Sequence, residues 1–276
     1  MTDMTNSEAE IGAATRAAGG RSGWIVAARA LFLIVFLAVW QGAAAVGLVD
    51  AAFVSTPAGV AQSLWQLFKD GEVLPNLGTT LIEIMIAFVL SVVFGIASAV
   101  FLDRNDWLNR IVSPFLTAFN SMPRIALGPL FILWFGIGIA SKVVLAFSLG
   151  YFIMLLSTLG GLKNVDRDLL LMSRLFGASE LRLFRHVRLP WALPSIFAGL
   201  KLTLIYCSAG AVIGEMIAAQ SGLGLLVQTF SGRFDVAGVM ALILIVAFMV
   251  MVLTSLMDMT ERHLLRWSKG STDVPG

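Results

Sequence analysis

Three groups of residues in this chain could do chemistry. The densest is the stretch FGASELRLFRHVRLP, Phe176 to Pro190, which sets Arg182, Arg185, Arg188 and His186 at near-helical spacing inside an otherwise apolar chain. Cations on a short amphipathic helix suit anionic lipid head groups, or a socket on a protein. The second group is Arg124 beside Asn120 and Ser121, a guanidinium that could attract an anion such as a sulfonate or nitrate. The third is the pair of hydroxyls Tyr206 and Ser208 in KLTLIYCSAGAVIGEM, which could line a path or simply glue helices together. Two carboxylates, Glu83 and Glu215, fall near the ends of apolar runs, where an interfacial position suits them.

Other chemistry is poorly supported. The single cysteine, Cys207, forbids an internal disulfide and offers no metal-ligand pair. His186 and His263 have no His or Cys neighbours at metal spacing, and no Ser-His-Asp set falls within the apolar segments. There is no G-x-x-x-x-G-K-[ST] phosphate loop, so the chain is not expected to bind ATP in the usual way. No catalytic residue, metal or bound cofactor is expected, and no nucleic acid partner.

The elements that must position these residues are set by hydropathy. With 58% hydrophobic and 13% charged residues, against roughly 45–50% and about 25% in soluble domains, and a mean hydropathy of +0.88, this is a membrane protein. Residues 1–23 are small and polar and read as a disordered tail. The stretch from Trp24 has the basic flank and small residues of a cleavable signal, but its apolar run continues to Val49, long enough to span the bilayer. Five further apolar segments follow: Leu77 to Leu102, a Pro-interrupted one from Ile111 to Ile139, Val143 to Leu162, Pro194 to Ala218, and Val236 to Met257. Long apolar spans without a barrel's alternation mean a helical bundle, so the fold class is all-α and polytopic with six spans.

Charges then choose the sides. Arg16, Arg21 and Arg29, then Arg104 and Arg110, then Lys163, Arg167, Arg174, Arg182, Arg185 and Arg188, then Arg262, Arg266 and Lys269 share one face. Only Lys69, Lys142 and Arg233 fall on the other, with Arg124 and Lys201 inside spans. The positive-inside rule puts the richer face, and both termini, in the cytoplasm. On that face the segment from Val165 reads as a helix ending near Phe176, a break at Gly177, and a second helix capped by Ser179 with Glu180 in its first turn. Leu181, Phe184 and Val187 share a face of the second helix, and Pro190 and Pro194 are expected to stop it and start span five.

The order Gly177, nine residues, Val187, one residue, then Leu189 and Pro190 resembles the cytoplasmic EAA loop of ABC importer permeases. MPRIALGPLFILWFGIGIASKVV from Met122 and GEMIAAQSGLGLLVQTF from Gly214 are similar to permeases of the nitrate, sulfonate and taurine branch, and the likeness runs from about Leu31 to Trp267. The Glu-Ala-Ala that names the loop is absent, because Leu171, Met172 and Ser173 stand there.

The resemblance implies a type I ABC importer permease fold in a bacterial inner (plasma) membrane. Its domains would be the tail 1–23, a transmembrane permease domain 24–262 with an EAA-like coupling loop at 163–193, and a cytoplasmic tail 263–276. It implies a homodimer with two cytoplasmic ATPase subunits, which bind the ATP and Mg, and an external solute-binding protein. It implies that Gly177, Ala178, Ser179, Glu180, Leu181, Phe184, Arg185, Val187, Leu189 and Pro190 couple to the ATPase. Span five lines the path in that family, so Tyr206 and Ser208 become lining candidates with Asn120, Ser121 and Arg124. Arg124 lies roughly 21 Å beyond Arg110 if the helix is unbroken, at about 1.5 Å per residue, whereas a break at Pro123 would leave it near the cytoplasmic edge. A Gly-rich stretch between spans five and six, AAQSGLGLLVQTFSGRFDV, is either a re-entrant piece or an ordinary loop. The competing class, an ATP-independent secondary transporter or channel, would be expected to show inverted repeats or central charged relays, and neither is found.

Overall fold

The computed structural model describes residues 3–48 and 50–264, and every regular element among them is helical. In chain order these are α1 (Asp3–Ala45), α2 (Ala51–Val54), α3 (Pro57–Lys69), α4 (Val73–Arg104), α5 (Asp106–Ser121), α6 (Gly128–Phe135), α7 (Ile139–Lys163), α8 (Arg167–Leu175), α9 (Glu180–Leu183), α10 (Leu189–Ile217), α11 (Leu223–Gly232) and α12 (Val236–Leu264). Five helices are long and apolar enough to cross a membrane, and the bent pair α5 and Arg124–Phe135, turned by 80°, makes a sixth span.

The expected tail at 1–23 differs, since the backbone of α1 is helical from Asp3. Alanine, glutamate and arginine favour helix there, and the Gly19–Gly20 pair does not outweigh them. At the other end α12 runs to Leu264, so most of the tail at 263–276 lies outside the described residues.

The core is a three-helix crossing of α4, α7 and α10. Half of the apolar window of α7 and of α10 is buried, against 28% for α4 and α12 and none for α1. Close approach is set by Gly150 of α7, where a Cβ would lie 2.5 Å from Cys207 Sγ of α10 and 2.8 Å from Ser91 Oγ of α4. In lipid, where burial supplies no hydrophobic drive between helices, such small-residue contacts hold spans together. Around this crossing, α3 packs on α12. It starts where Thr56 Oγ1 accepts the Gly59 N–H at 3.0 Å and Pro57 sits in the first turn.

Pro190 and Pro194 do not separate the second loop helix from span five. The helix is continuous from Glu180 to Ile217, because residues Phe184–Arg188 widen into a π-turn and the Leu189 N–H donates to the Phe184 carbonyl. A wider turn relieves the clash that a proline ring makes with the carbonyl four residues back.

Candidate functional site

Helices α8 and α9, with the break between them, form a prong at one end of the bundle, and Asp166 caps α8 by accepting the Asp168 N–H at 2.9 Å. The break falls where the sequence places it. Gly177 takes φ +76°, its N–H donates to the Arg174 carbonyl at 2.9 Å, and the Ala178 N–H donates to the Ser173 carbonyl at 3.1 Å. That pair of bonds closes α8 with a Schellman turn, which needs a left-handed residue that glycine supplies without strain. Ser179 then caps α9, accepting the Arg182 N–H at 3.4 Å, and Glu180 pairs across the break with Arg174 at 3.1 Å.

The face assigned to the second helix is partly revised. Leu183, not Leu181, is the buried anchor, at 1% exposure against 67%, while Phe184 packs half-buried on Met154, Leu162, Ala192 and Ile196. The π-turn rotates the helix face, which is why simple three-residue spacing misassigns it. Two side chains that the sequence reading missed tie the prong's base to α4. Arg188 Nη1 meets Asp103 Oδ2 at 2.9 Å, and the Arg104 guanidinium lies 5.2 Å above the Phe184 ring. Arg185 and the apolar tip point away from the bundle: Leu175 and Phe176 are each 86% exposed, and Leu171 and Met172 more than half. The first helix thus presents apolar side chains to the outside.

The second candidate group gathers at the bend after Ser121. Arg124 Nη1 donates to the Ser148 carbonyl at 2.5 Å and Nη2 to Asn120 Oδ1 at 2.9 Å. Its guanidinium also stacks 4.8 Å from the Phe152 ring centre. Ser148 stands nine residues from Ile139 and fifteen from Lys163, roughly 14 Å and 22 Å along α7 at about 1.5 Å per residue. Arg124 is therefore deep within the bundle rather than at its edge, carried there by the length of α5 before the bend.

Asn120 and Ser121 are exposed beside it, with the Ser121 hydroxyl donating to the Thr117 carbonyl at 2.9 Å. Tyr206 of α10 is likewise exposed, at 47%. Ser208 does not join them. It is 2% exposed and donates to the Leu204 carbonyl at 2.8 Å, since residues two apart on a helix point about 200° apart.

Two carboxylates sit elsewhere than expected, and one lysine, placed as expected, finds partners on a neighbouring helix. Lys201, left inside span five by the sequence, pairs with Asp258 at 2.5 Å and with Glu261. Glu83 and Glu215, expected at an interface, are fully buried with Lys142 at the end of the bundle away from the prong. The Gly-rich stretch after span five forms α11, with Leu223, Leu226 and Val227 buried.

Residues 91–269, which hold both the bend and the prong, match the model of the family described as binding-protein-dependent transport system inner membrane component. The chain belongs to this family. This permease is 31% identical over 235 residues to the riboflavin transport system permease protein RibX of Chloroflexus aurantiacus, covering 85% of this chain and 88% of that one. It is 30% identical over 240 residues to the taurine transport system permease protein TauC of Escherichia coli, covering 85% and 87%. Among solved structures, an inward-facing MetNI methionine ABC transporter superposes with a TM-score of 0.63 at 21% identity, covering 71% of this chain and 97% of that one, a likeness of fold. The protein is thus the membrane-spanning permease subunit of an ABC importer.

Proposed function

We propose that the tip of the prong docks into a separate ATPase subunit on the cytoplasmic side of a bacterial inner membrane, with both chain termini on that side. The observation that carries this reading is the pair Leu175 and Phe176, 86% exposed at the end of a well-capped helix flanked by arginines. Apolar side chains held rigidly in water have the character of interface anchors. ATP and Mg belong to the ATPase in this reading. Two copies of the permease form the path, and a solute-binding protein delivers solute at the far end.

The unbroken helix from Glu180 to Ile217 makes the prong a lever without a hinge at its root. Closure of the ATPase pair would tilt span five directly, and the Asp103–Arg188 bond would carry α4 with it. The bundle then needs two packings whose balance the ATPase shifts by its differential affinity for them.

For the solute, the reading is a small anion of the sulfonate, nitrate or taurine kind. Relatives named for riboflavin and for taurine differ in solute, so the support comes from Arg124. Its charge stands deep in the bundle beside Asn120 and Ser121, Tyr206 is exposed on span five, and Ser208 serves packing. Co-reconstitution of permease, ATPase and binding protein in nanodiscs tests the docking: Leu175→Asp and Phe176→Asp should each lower solute-stimulated ATP hydrolysis about ten-fold or more, as losing an interface anchor does. Unchanged stimulation in both variants would return the prong to the lipid surface. In proteoliposomes, Arg124→Gln should depress uptake of an anionic solute, and undiminished uptake would remove Arg124 from the path.

A further inference from the structure

The cluster at the far end has two acids for one base. Glu83 of α4, Glu215 of α10 and Lys142 of α7 are 0%, 0% and 4% exposed. Lys142 Nζ stands 3.6 Å from Glu83 Oε1, and Glu215 is brought to the same place, since its Oε1 takes the hydroxyl of Thr80, one turn before Glu83 on α4, and Lys142 packs against Gly214, the residue before Glu215. With both acids ionised, the cluster would hold an unbalanced negative charge in a dry part of a membrane bundle, which is strongly unfavourable.

The hydrogen bonds divide the roles. Glu215 behaves as an acceptor, taking the Thr80 hydroxyl on Oε1 and the Gly224 N–H on Oε2, each at 2.7 Å. Glu83 is the reverse, because neither of its oxygens has a hydrogen-bond partner although it is wholly buried. Two carboxylates cannot bond to each other, since neither has a hydrogen to give. One proton between them supplies that hydrogen and brings the charge with Lys142 to zero.

We infer that Glu83 and Glu215 form a proton-binding site, sharing one proton that makes a neutral clamp with Lys142 and fastens α11 to the far ends of α4, α7 and α10. The clamp reaches α11 through three bonds in all. Besides the Gly224 N–H on Glu215, the Leu223 N–H donates to Thr80 Oγ1 at 2.9 Å and the Gly222 N–H to Asn76 Oδ1 at 2.7 Å. Loss of the proton sets two negative carboxylates against each other beneath these bonds and loosens α11. None of this depends on the identity of the solute or on where the ATPase docks.

Infrared spectroscopy of the full chain in lipid nanodiscs at neutral pH reads the proton directly. The wild type should show the carbonyl stretch of a protonated carboxylic acid. The band should vanish in Glu83→Gln and in Glu215→Gln, because each leaves a single carboxylate facing Lys142, and persist in Lys142→Met. No band in the wild type, or loss in only one of the two Gln variants, would overturn the shared site. A second measurement on the wild type covers variants that fail to assemble. Amide hydrogen exchange at 218–232, corrected for its base-catalysed intrinsic rate, should lose protection as alkali titrates the band away, and should be insensitive to pH in Glu83→Gln. Protection that stays constant while the band disappears would overturn the clamp.

Discussion

The two ends of this bundle use the same residue types in opposite surroundings. At the prong, Arg174 and Glu180 approach to 3.1 Å with half or more of each side chain exposed. At the far end, Lys142 and Glu83 stand 3.6 Å apart with at most 5% exposed. The shorter pair is the weaker, since exposed charges exchange water for each other at little gain, whereas removing one partner of a buried pair strands the other in a medium that cannot solvate it. Apolar groups show the converse, with Phe176 exposed at the prong and Leu223 buried in α11. Under the proposed docking, the first end leaves its oil outside for a partner, while the second keeps its charges inside and locks to itself.

Substitutions graded from the buried end to the exposed one should separate these roles. The largest effect is expected from Lys142→Met, which leaves two acids without their base and should cost about 3 kcal/mol or more of stability, read as a lowered midpoint of unfolding in detergent titration. Asp103→Ala at the half-buried root of the prong removes a charged hydrogen bond to Arg188 and should cost about 1.5–3 kcal/mol. It should also uncouple ATP hydrolysis from solute. Gly177→Val forces a branched side chain to φ +76°, a strain of about 1–2 kcal/mol, and should loosen α8 by amide hydrogen exchange while leaving the bundle's unfolding midpoint unmoved. The smallest is Arg174→Ala, expected to shift stability by no more than about 0.5 kcal/mol, and less still at high salt. A Lys142→Met effect no larger than that of Arg174→Ala would erase the contrast.

Much of the prong was legible from the sequence because its signals are local. Gly177, Ser179 and Glu180 act within a few residues of themselves, so capping chemistry gives the break and the restart. The spans were legible for the same reason, since a run of apolar residues states its own length. Pro190 misled because the proline rule assumes a four-residue turn, and the π-turn at Phe184–Arg188 departs from it. The far-end clamp was not legible at all. Thr80 and Glu215 are separated by 135 residues, and nothing near either one announces the other. Distance from the end of an apolar run also failed as a measure of depth for Glu83 and Lys142, because α11 covers that end. For α3 a signal was present and unused: Thr56 before Pro57, then Val60, Leu64 and Leu67 at helical spacing.

The most direct test of the exposed end is thiol protection. Cys207, the natural cysteine, is buried, so Leu175→Cys gives a single reactive site at the tip of the prong. In nanodiscs, a membrane-impermeant maleimide should label it fully in the permease alone and much more slowly once the ATPase subunit is bound, with the lipid composition held constant. Labelling that is slow without the ATPase, speeds up when anionic lipid is removed, and ignores the ATPase would contradict the docking role and place the prong on the membrane surface.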